Sequence, residues 1–258
     1  MNKENKEVFV FDMDDTLILS NQKMDDEMID LFCNLLAKKK VAIISGQGLE
    51  NIKRNIVSHL KCDNCFDNLF LLPNGGSRML KFKDQQLEVE YSYDFTDEEI
   101  KEVMSAFRKS LAEWGWEMED HPEYYEKYGP ILQNRGSSVN FSALGADAPV
   151  EIKRLWDPLH KKRHEIMAIL QPLIPNYVVK SGGTTTIDVT KKGLDKAFAV
   201  VELSKILDIS LDNFVYIGDA LFEGGNDEPI LRLGIDTVDV FDPEKPIVKT
   251  KEYIRSIL

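Results

Sequence analysis

The chain has 258 residues, 43% of them hydrophobic and 29% charged, the composition of a globular protein with one large domain or two modest ones. Its formal net charge of −12, from 44 acidic and 32 basic residues, argues against a nucleic-acid partner, which would call for a basic surface. It leaves room for a phosphorylated ligand, because a divalent cation and a few local Lys or Arg reverse the field inside a cleft.

The N-terminal segment MNKENKEV is polar and runs directly into a strand, so no secretory signal is expected. No apolar run approaches the length of a membrane span, and no membrane partner is expected. Val8-Phe9-Val10-Phe11 reads as a buried strand of a parallel sheet, and Asp12, Asp14, Asp15 and Thr16 follow at once. Like charges at a strand end repel and are costly to desolvate, so three carboxylates there call for a cation and a chemical task. Asp15 is expected only to shape the turn.

A helix with Met28, Leu31, Phe32, Leu35 and Leu36 on one face follows Asp25-Asp26-Glu27, and Lys38-Lys39-Lys40 closes it. Val41 to Ile44 is a second buried strand, ending in Ser45-Gly46-Gln47-Gly48. A hydroxyl and glycines at a strand end let backbone N–H groups approach a phosphate, although Ser-Gly is also a common turn. A helix over 49–60 and a strand at Phe70-Leu71-Leu72 come next. His59, Cys62 and Cys65 have a ligand-like spacing but lack a fourth partner for zinc, and the cysteines read as surface or half-buried. Three cysteines do not make a disulfide framework, which predicts a reducing, cytoplasmic location.

From Met79 the texture changes. Residues 79–83 and 87–91 alternate as a hairpin, and Asp97 to Trp114 is an amphipathic helix with a Thr96/Glu99 capping box. A strand over 136–144, a charged helix over 149–170 and strands at 177–180 and 184–189 complete an α+β module. Its apolar residues Phe107, Leu111, Trp114 and Trp116 bury within it or against a second copy of the chain, so a homodimer stays open. Then Lys196 to Leu207 is a helix, Phe214 to Ile217 a buried strand ending in Gly218-Asp219, and Thr237 to Val240 a last strand. The expectation is an α/β protein: a Rossmann-like, doubly wound parallel sheet core from residues 1–83 and 188–258, with an α+β cap domain inserted at 84–187.

Strand ends in such a sheet converge, which brings together Asp12 and Asp14, Ser45, Lys196, and Asp219 with Asp227. Carboxylates with few histidines favour a hard cation, and Mg²⁺ is the default beside phosphate. A Lys and a Ser opposite would hold phosphoryl oxygens, so the residues alone suggest phosphoryl transfer.

Asp12-Met-Asp14-Asp15-Thr16 resembles the D-x-D-x-T signature of the haloacid dehalogenase superfamily. Ser45, Lys196 and Gly218-Asp219…Asn226-Asp227 resemble its other three motifs in order, and the insert resembles its type IIB caps. The resemblance implies that Asp12 is the nucleophile and Asp14 the general acid/base. It also implies that Ser45, Gly46 and Lys196 hold the phosphoryl group, with Lys196 preferred over Lys192 by its Gly193-Leu194-Asp195-Lys196 setting. Mg²⁺ would sit at Asp12, Asp219 and the backbone carbonyl of Asp14, while Asp227 supports the metal site or its lysine.

The stretch Gly218 to Asp227 and the run from Ser181-Gly182-Gly183 to Lys196 look like the phosphomannomutase branch. Arg135-Gly136-Ser137-Ser138-Val139-Asn140-Phe141-Ser142 resembles its cap segment, where a final arginine is Ala146 here and an earlier one falls near Tyr124-Tyr125. Arg135, Asn140, Thr186 and Asp188 are the cap residues expected to contact a sugar or other polyol. Fewer cationic partners for a second phosphate favour a Mg²⁺-dependent phosphatase acting on a small phosphorylated metabolite, such as a sugar phosphate. A phosphomannomutase is the alternative and a non-catalytic binding protein the third.

Overall fold

The structure is a computed structural model that describes residues 6–20, 22–62, 65–116, 122–182 and 184–258; the start of the N-terminal segment and Gly183 lie outside them. In chain order the elements are β1 (Val8–Asp12), α1 (Asp26–Leu36), β2 (Lys40–Ile44), α2 (Leu49–Asn55), β3 (Leu69–Leu72), β4 (Arg78–Lys83) and β5 (Gln86–Ser92). Then come α3 (Asp97–Trp114), α4 (Pro122–Tyr128), β6 (Leu132–Asn134), β7 (Ser138–Ser142), α5 (Val150–Trp156), α6 (Lys161–Leu173), β8 (Tyr177–Ser181) and β9 (Thr186–Lys191). The chain closes with α7 (Lys196–Leu207), β10 (Phe214–Gly218), β11 (Asp236–Asp239) and α8 (Val248–Ile257). It divides into two compact units, Met1–Ser92 with Leu194–Leu258, and Tyr93–Gly193.

The first unit holds a seven-stranded sheet of order β11-β10-β1-β2-β3-β4-β5, parallel from β11 to β3 and antiparallel over the last hairpin. Alternation along β1 puts Phe9 and Phe11 in one core with α1 and α8, and Val8 and Val10 in another with Ala197, Val200 and Leu203 of α7. Each such side chain, fully withdrawn from water, contributes about 1.5–3 kcal/mol before entropy is counted. Both faces of the parallel strands are therefore apolar, and charge is tolerated only at their ends.

The second unit pairs an antiparallel sheet, β6-β7-β9-β8, with helices α3 and α6. Val139, Phe141, Ile187 and Val189 face Val103, Phe107, Leu111, Ile166 and Leu170 in its core. The intervening residues Ser138, Asn140, Thr186 and Asp188 fall on the opposite, polar face of the same strands. Asp97 opens α3 with the expected reciprocal cap, in which Glu99 N–H donates to Thr96 Oγ1 and Thr96 N–H donates to the Glu99 carboxylate.

Three expectations need correction. The units divide after Ser92 and after Gly193, not at 84 and 187, because β5 pairs with β4 and so stays in the seven-stranded sheet. The helix expected over 149–170 is two helices. Asp157 precedes Pro158, which disfavours helical backbone there, and at φ −142° and ψ 63° its carboxylate instead caps α6 through the N–H groups of Lys162 and Arg163. The cysteines are not all free: Cys62 and Cys65 form a disulfide, their Cα atoms 5.7 Å apart, while Cys33 is unpaired. Cys65 is buried in the core rather than surface or half-buried, while Cys62 and Cys33 are half-buried as expected.

Candidate active site

Register builds the site. Phe11 lies opposite both Ile43 and Ile217, so Asp12 at the end of β1 sits beside the ends of β2 and β10, which lead into Ser45 and Asp219. Helix α7 begins at Lys196, capped by Asp195, whose carboxylate accepts from Phe198 N–H at 3.0 Å. This start delivers the Lys196 ammonium among carboxylates. Its Nζ donates to Asp12 Oδ1, to Asp227 Oδ1 at 2.5 Å and to Asn226 Oδ1 at 3.3 Å. Lys192, the alternative lysine in the same run, is exposed.

Asp227 is fully buried and its acceptor positions are well used. Oδ1 also accepts from the Tyr216 hydroxyl, and Oδ2 accepts from Ala220 N–H at 3.1 Å. Gly218 makes this closure sterically feasible, since a Cβ there would fall 2.8 Å from both Asp227 Cγ and Tyr216 Cε1. Thr16 Oγ1 donates to Asp219 Oδ1 at 3.3 Å. Asp15 lies at φ 54°, and its carboxylate accepts from Ser20 N–H at 3.2 Å, which ties the turn after β1.

Oxygens of Asp12, Asp219 and Asp227 lie within 4.8 Å of one another. Burial pushes the Asp12 carboxyl up to about 7, with Lys196 pulling it down and Asp227 and Asp219 adding to the rise. Burial followed by Asp227 likewise raises Asp219. Burial opposes the Lys196 charge, but Asp12 and Asp227 outweigh it and raise the ammonium. Among the described residues these three carboxylates gather around the Lys196 ammonium, and burial, with Asp227 and Asp219 adding to it, makes the Asp12 charge costly unless a further cation offsets it. An all-oxygen donor set of this kind fits a hard divalent cation.

Asp14, two residues beyond Asp12, has a different setting: its Oδ2 accepts from Gln47 Nε2 at 2.6 Å and its Oδ1 from Ser20 Oγ at 3.4 Å. The strand-end loop that carries Gln47 is tied down. Gln47 N–H donates to Ser45 Oγ at 3.0 Å, Asn74 N–H to Gln47 O at 2.9 Å and Gly75 N–H to Ser45 O at 2.7 Å. Ser45 is buried, while Gly46 is exposed with open space where a Cβ would stand.

In the second unit, β7 and β9 set Asn140 opposite Asp188 and Ser142 opposite Thr186. Asn140 Nδ2 donates to Asp188 Oδ1, and Ser138 Oγ donates to Asn140 Oδ1 at 2.9 Å. Burial raises the Asp188 carboxyl against Asn140, Arg135 and Lys180. The Arg135 guanidinium bonds Gln133 Oε1 through Nη2 at 2.7 Å. Lys153 Nζ donates to the carbonyl of Ala146 at 2.8 Å, and burial and Arg135 lower its ammonium. Arg135, Asn140 and Asp188 are thus brought together, and Thr186 lies one pair further along the same face.

Gln47, Tyr216 and Lys153 went unnoticed in the sequence. Gln47 hides in a turn motif and Tyr216 in a buried strand, and Lys153 is one charge among many on a surface helix.

A family model described as haloacid dehalogenase-like hydrolase matches residues 9–233. Phosphomannomutase of Encephalitozoon cuniculi (strain GB-M1) is 25% identical over 264 residues, 100% of this chain and 97% of that protein. IMP-specific 5'-nucleotidase 1 of Plasmodium falciparum (isolate 3D7) is 23% identical over 283 residues, 99% of this chain and 60% of that protein. Among solved structures, that of Plasmodium falciparum IMP-nucleotidase has a TM-score of 0.69 at 19% identity, covering 99% of this chain and 62% of that one. The last likeness speaks for the fold. Among the described residues, no helix is long and apolar enough to cross a membrane.

Proposed function

The chain belongs to the haloacid dehalogenase-like hydrolases, a family of phosphoryl-transfer enzymes, and on that premise we propose that it is a Mg²⁺-dependent phosphatase of a small phosphorylated metabolite, in particular a sugar phosphate. The observation that carries the proposal is the division between two carboxylates. Asp12 is buried against Lys196, and Asp14 is held apart by Gln47. Two carboxyls in unlike environments take unlike roles.

An Asp12 oxygen attacks phosphorus, and the bond from phosphorus to the substrate oxygen breaks as Asp14 gives that oxygen its proton. Water then attacks the phosphorylated Asp12. Its proton passes to Asp14, the bond from phosphorus to Asp12 breaks, and inorganic phosphate leaves with both carboxyls restored. Lys196, Ser45 and the N–H groups around Gly46 hold the phosphoryl oxygens throughout. Mg²⁺ held by Asp12, Asp219 and the Asp14 carbonyl would offset the charge gathered there. Asp227, already engaged by Lys196, Tyr216 and Ala220, serves the lysine more than the metal.

The second reading is a phosphomannomutase. Arg135 and Lys180 act on Asp188 of the second unit's polar sheet face, and Arg135 also acts on Lys153, a cationic setting of the kind a second phosphate needs. Incubation with mannose 1-phosphate, mannose 1,6-bisphosphate and Mg²⁺ separates the two. Release of phosphate without exchange supports the phosphatase, and efficient exchange to the 6-phosphate rejects it.

A further inference from the structure

The Gln47 carboxamide is committed at one end and unsatisfied at the other. Nε2 donates to Asp14 Oδ2 at 2.6 Å, while Oε1 is buried and, among the described residues, accepts no hydrogen bond. Rotating the amide by half a turn would press its oxygen against a carboxylate, so Asp14 fixes which end is which. The backbone on either side is pinned to Ser45 and Asn74, so the side chain starts from a rigid point. A buried acceptor left without a donor costs free energy, and its persistence beside a candidate acid/base points to a donor that arrives with the reaction.

We propose that Gln47 positions Asp14 and orients the water that hydrolyses phosphorylated Asp12, an inference that rests on the phosphatase reading above. A water has two hydrogens. One goes to Asp14, which takes it as a proton when oxygen attacks phosphorus, and the other goes to Gln47 Oε1. With both hydrogens engaged, a lone pair of the water is aimed at phosphorus, and the bond from phosphorus to Asp12 breaks as the new one forms. An alcohol has a single hydroxyl hydrogen and cannot satisfy both groups. The pair Asp14 and Gln47 therefore prefers water over a hydroxyl acceptor, which is the choice that separates hydrolysis from transfer to a sugar.

The test uses the full-length protein with Mg²⁺ and p-nitrophenyl phosphate, with and without glycerol as a competing acceptor, and compares the wild type with Gln47→Met and Gln47→Asn. p-Nitrophenol reports phosphorylation of Asp12, and its leaving group needs little help from an acid. Inorganic phosphate and glycerol phosphate report the fate of the intermediate. Gln47→Met should lower steady-state kcat roughly tenfold and produce a burst of p-nitrophenol, with kcat/KM changed far less. The ratio of glycerol phosphate to phosphate should rise several-fold. Gln47→Asn, which keeps the amide but withdraws it by one methylene, should shift the ratio in the same direction. If both folded variants give the wild-type ratio, the inference is overturned whatever happens to kcat. If the wild type releases no p-nitrophenol, the phosphatase reading is overturned and the inference goes with it.

Discussion

Tyr216 and Lys196 donate to the same oxygen of Asp227, Oδ1. The phenol comes from the middle of β10 and the ammonium from the first residue of α7, so this one atom joins the central sheet to the helix that carries the candidate phosphoryl clamp. Burial, then Asp227 and Asp12, hold the phenol well above its ordinary value, and it stays a neutral donor at any working pH.

Tyr216→Phe keeps the ring and removes the donor. Asp227 then draws more strongly on Lys196, and Asp12 loses part of its share of that ammonium. The expected stability loss is about 1–3 kcal/mol, the cost of stripping a partner from a buried charged group. kcat on a generic phosphate monoester should fall by a factor of roughly 3–10, scaled to a weakened charge-assisted hydrogen bond. Urea unfolding and steady-state kinetics on one preparation check both. Unchanged kcat with the full stability loss would limit Tyr216 to the fold.

The core was largely legible because its signals are local. Val8 to Phe11 can only be a strand buried on both faces, and the Thr96/Glu99 cap starts α3 within a single turn. What escaped depends on partners distant in sequence. Nothing around Gln47 announces Asp14, which lies 33 positions away, and nothing in Phe214-Val215-Tyr216-Ile217 sets its phenol apart from a core aromatic. The break between α5 and α6 was in principle readable from Asp157-Pro158, but the charged pattern on either side masked it. The boundary at Ser92 is illegible for a different reason: a hairpin reads the same whether it begins an insert or extends a sheet.

Arg163 and Asp157 form a pair in the second unit whose side chains are only 1% and 2% exposed, and Arg163 Nη1 also donates to Gly182 O at 2.7 Å. Asp157 caps α6 besides; burial pushes its carboxyl up, but the Arg163 side chain and the N–H groups of Lys162 and Arg163 together hold it below the ordinary range. Removing one partner leaves a buried charge unmatched, so Arg163→Ala should cost about 3–5 kcal/mol. Arg163→Met with Asp157→Asn should cost clearly less, because the amide still caps the helix. Equal losses for the single and double variants in thermal unfolding would contradict the pairing argument.

Arg135 and Lys153 test the cap's part in recognition. If this cationic group binds a second anion on the substrate, Arg135→Ala and Lys153→Ala should each raise KM for a sugar bisphosphate about tenfold, the worth of one charge-assisted contact. On p-nitrophenyl phosphate, which carries one phosphate, kcat should hardly move. A matching loss on both substrates would show that the cap serves the fold and not the choice of ligand.

Asp12 should make metal-free stability depend on pH. Its carboxyl lies at about 7 in the folded chain against an ordinary value of 3.8, so the folded state holds a proton that the unfolded state has released across that window. Stability from this group is therefore present below the ordinary value and is lost as pH rises toward 7, by up to about 4 kcal/mol if the full shift is expressed. Asp12→Asn removes the titration. In EDTA the variant should gain on the wild type between pH 4.5 and pH 8 in urea unfolding, although it should be inactive at every pH. Mg²⁺ should close part of that gap at pH 8 by stabilising the wild type, because the ionised carboxylate is the form it binds. A stability difference that stays flat from pH 4.5 to pH 8 would mean that Asp12 carries its charge without cost. The case for a cation at this site would then rest on chemistry alone.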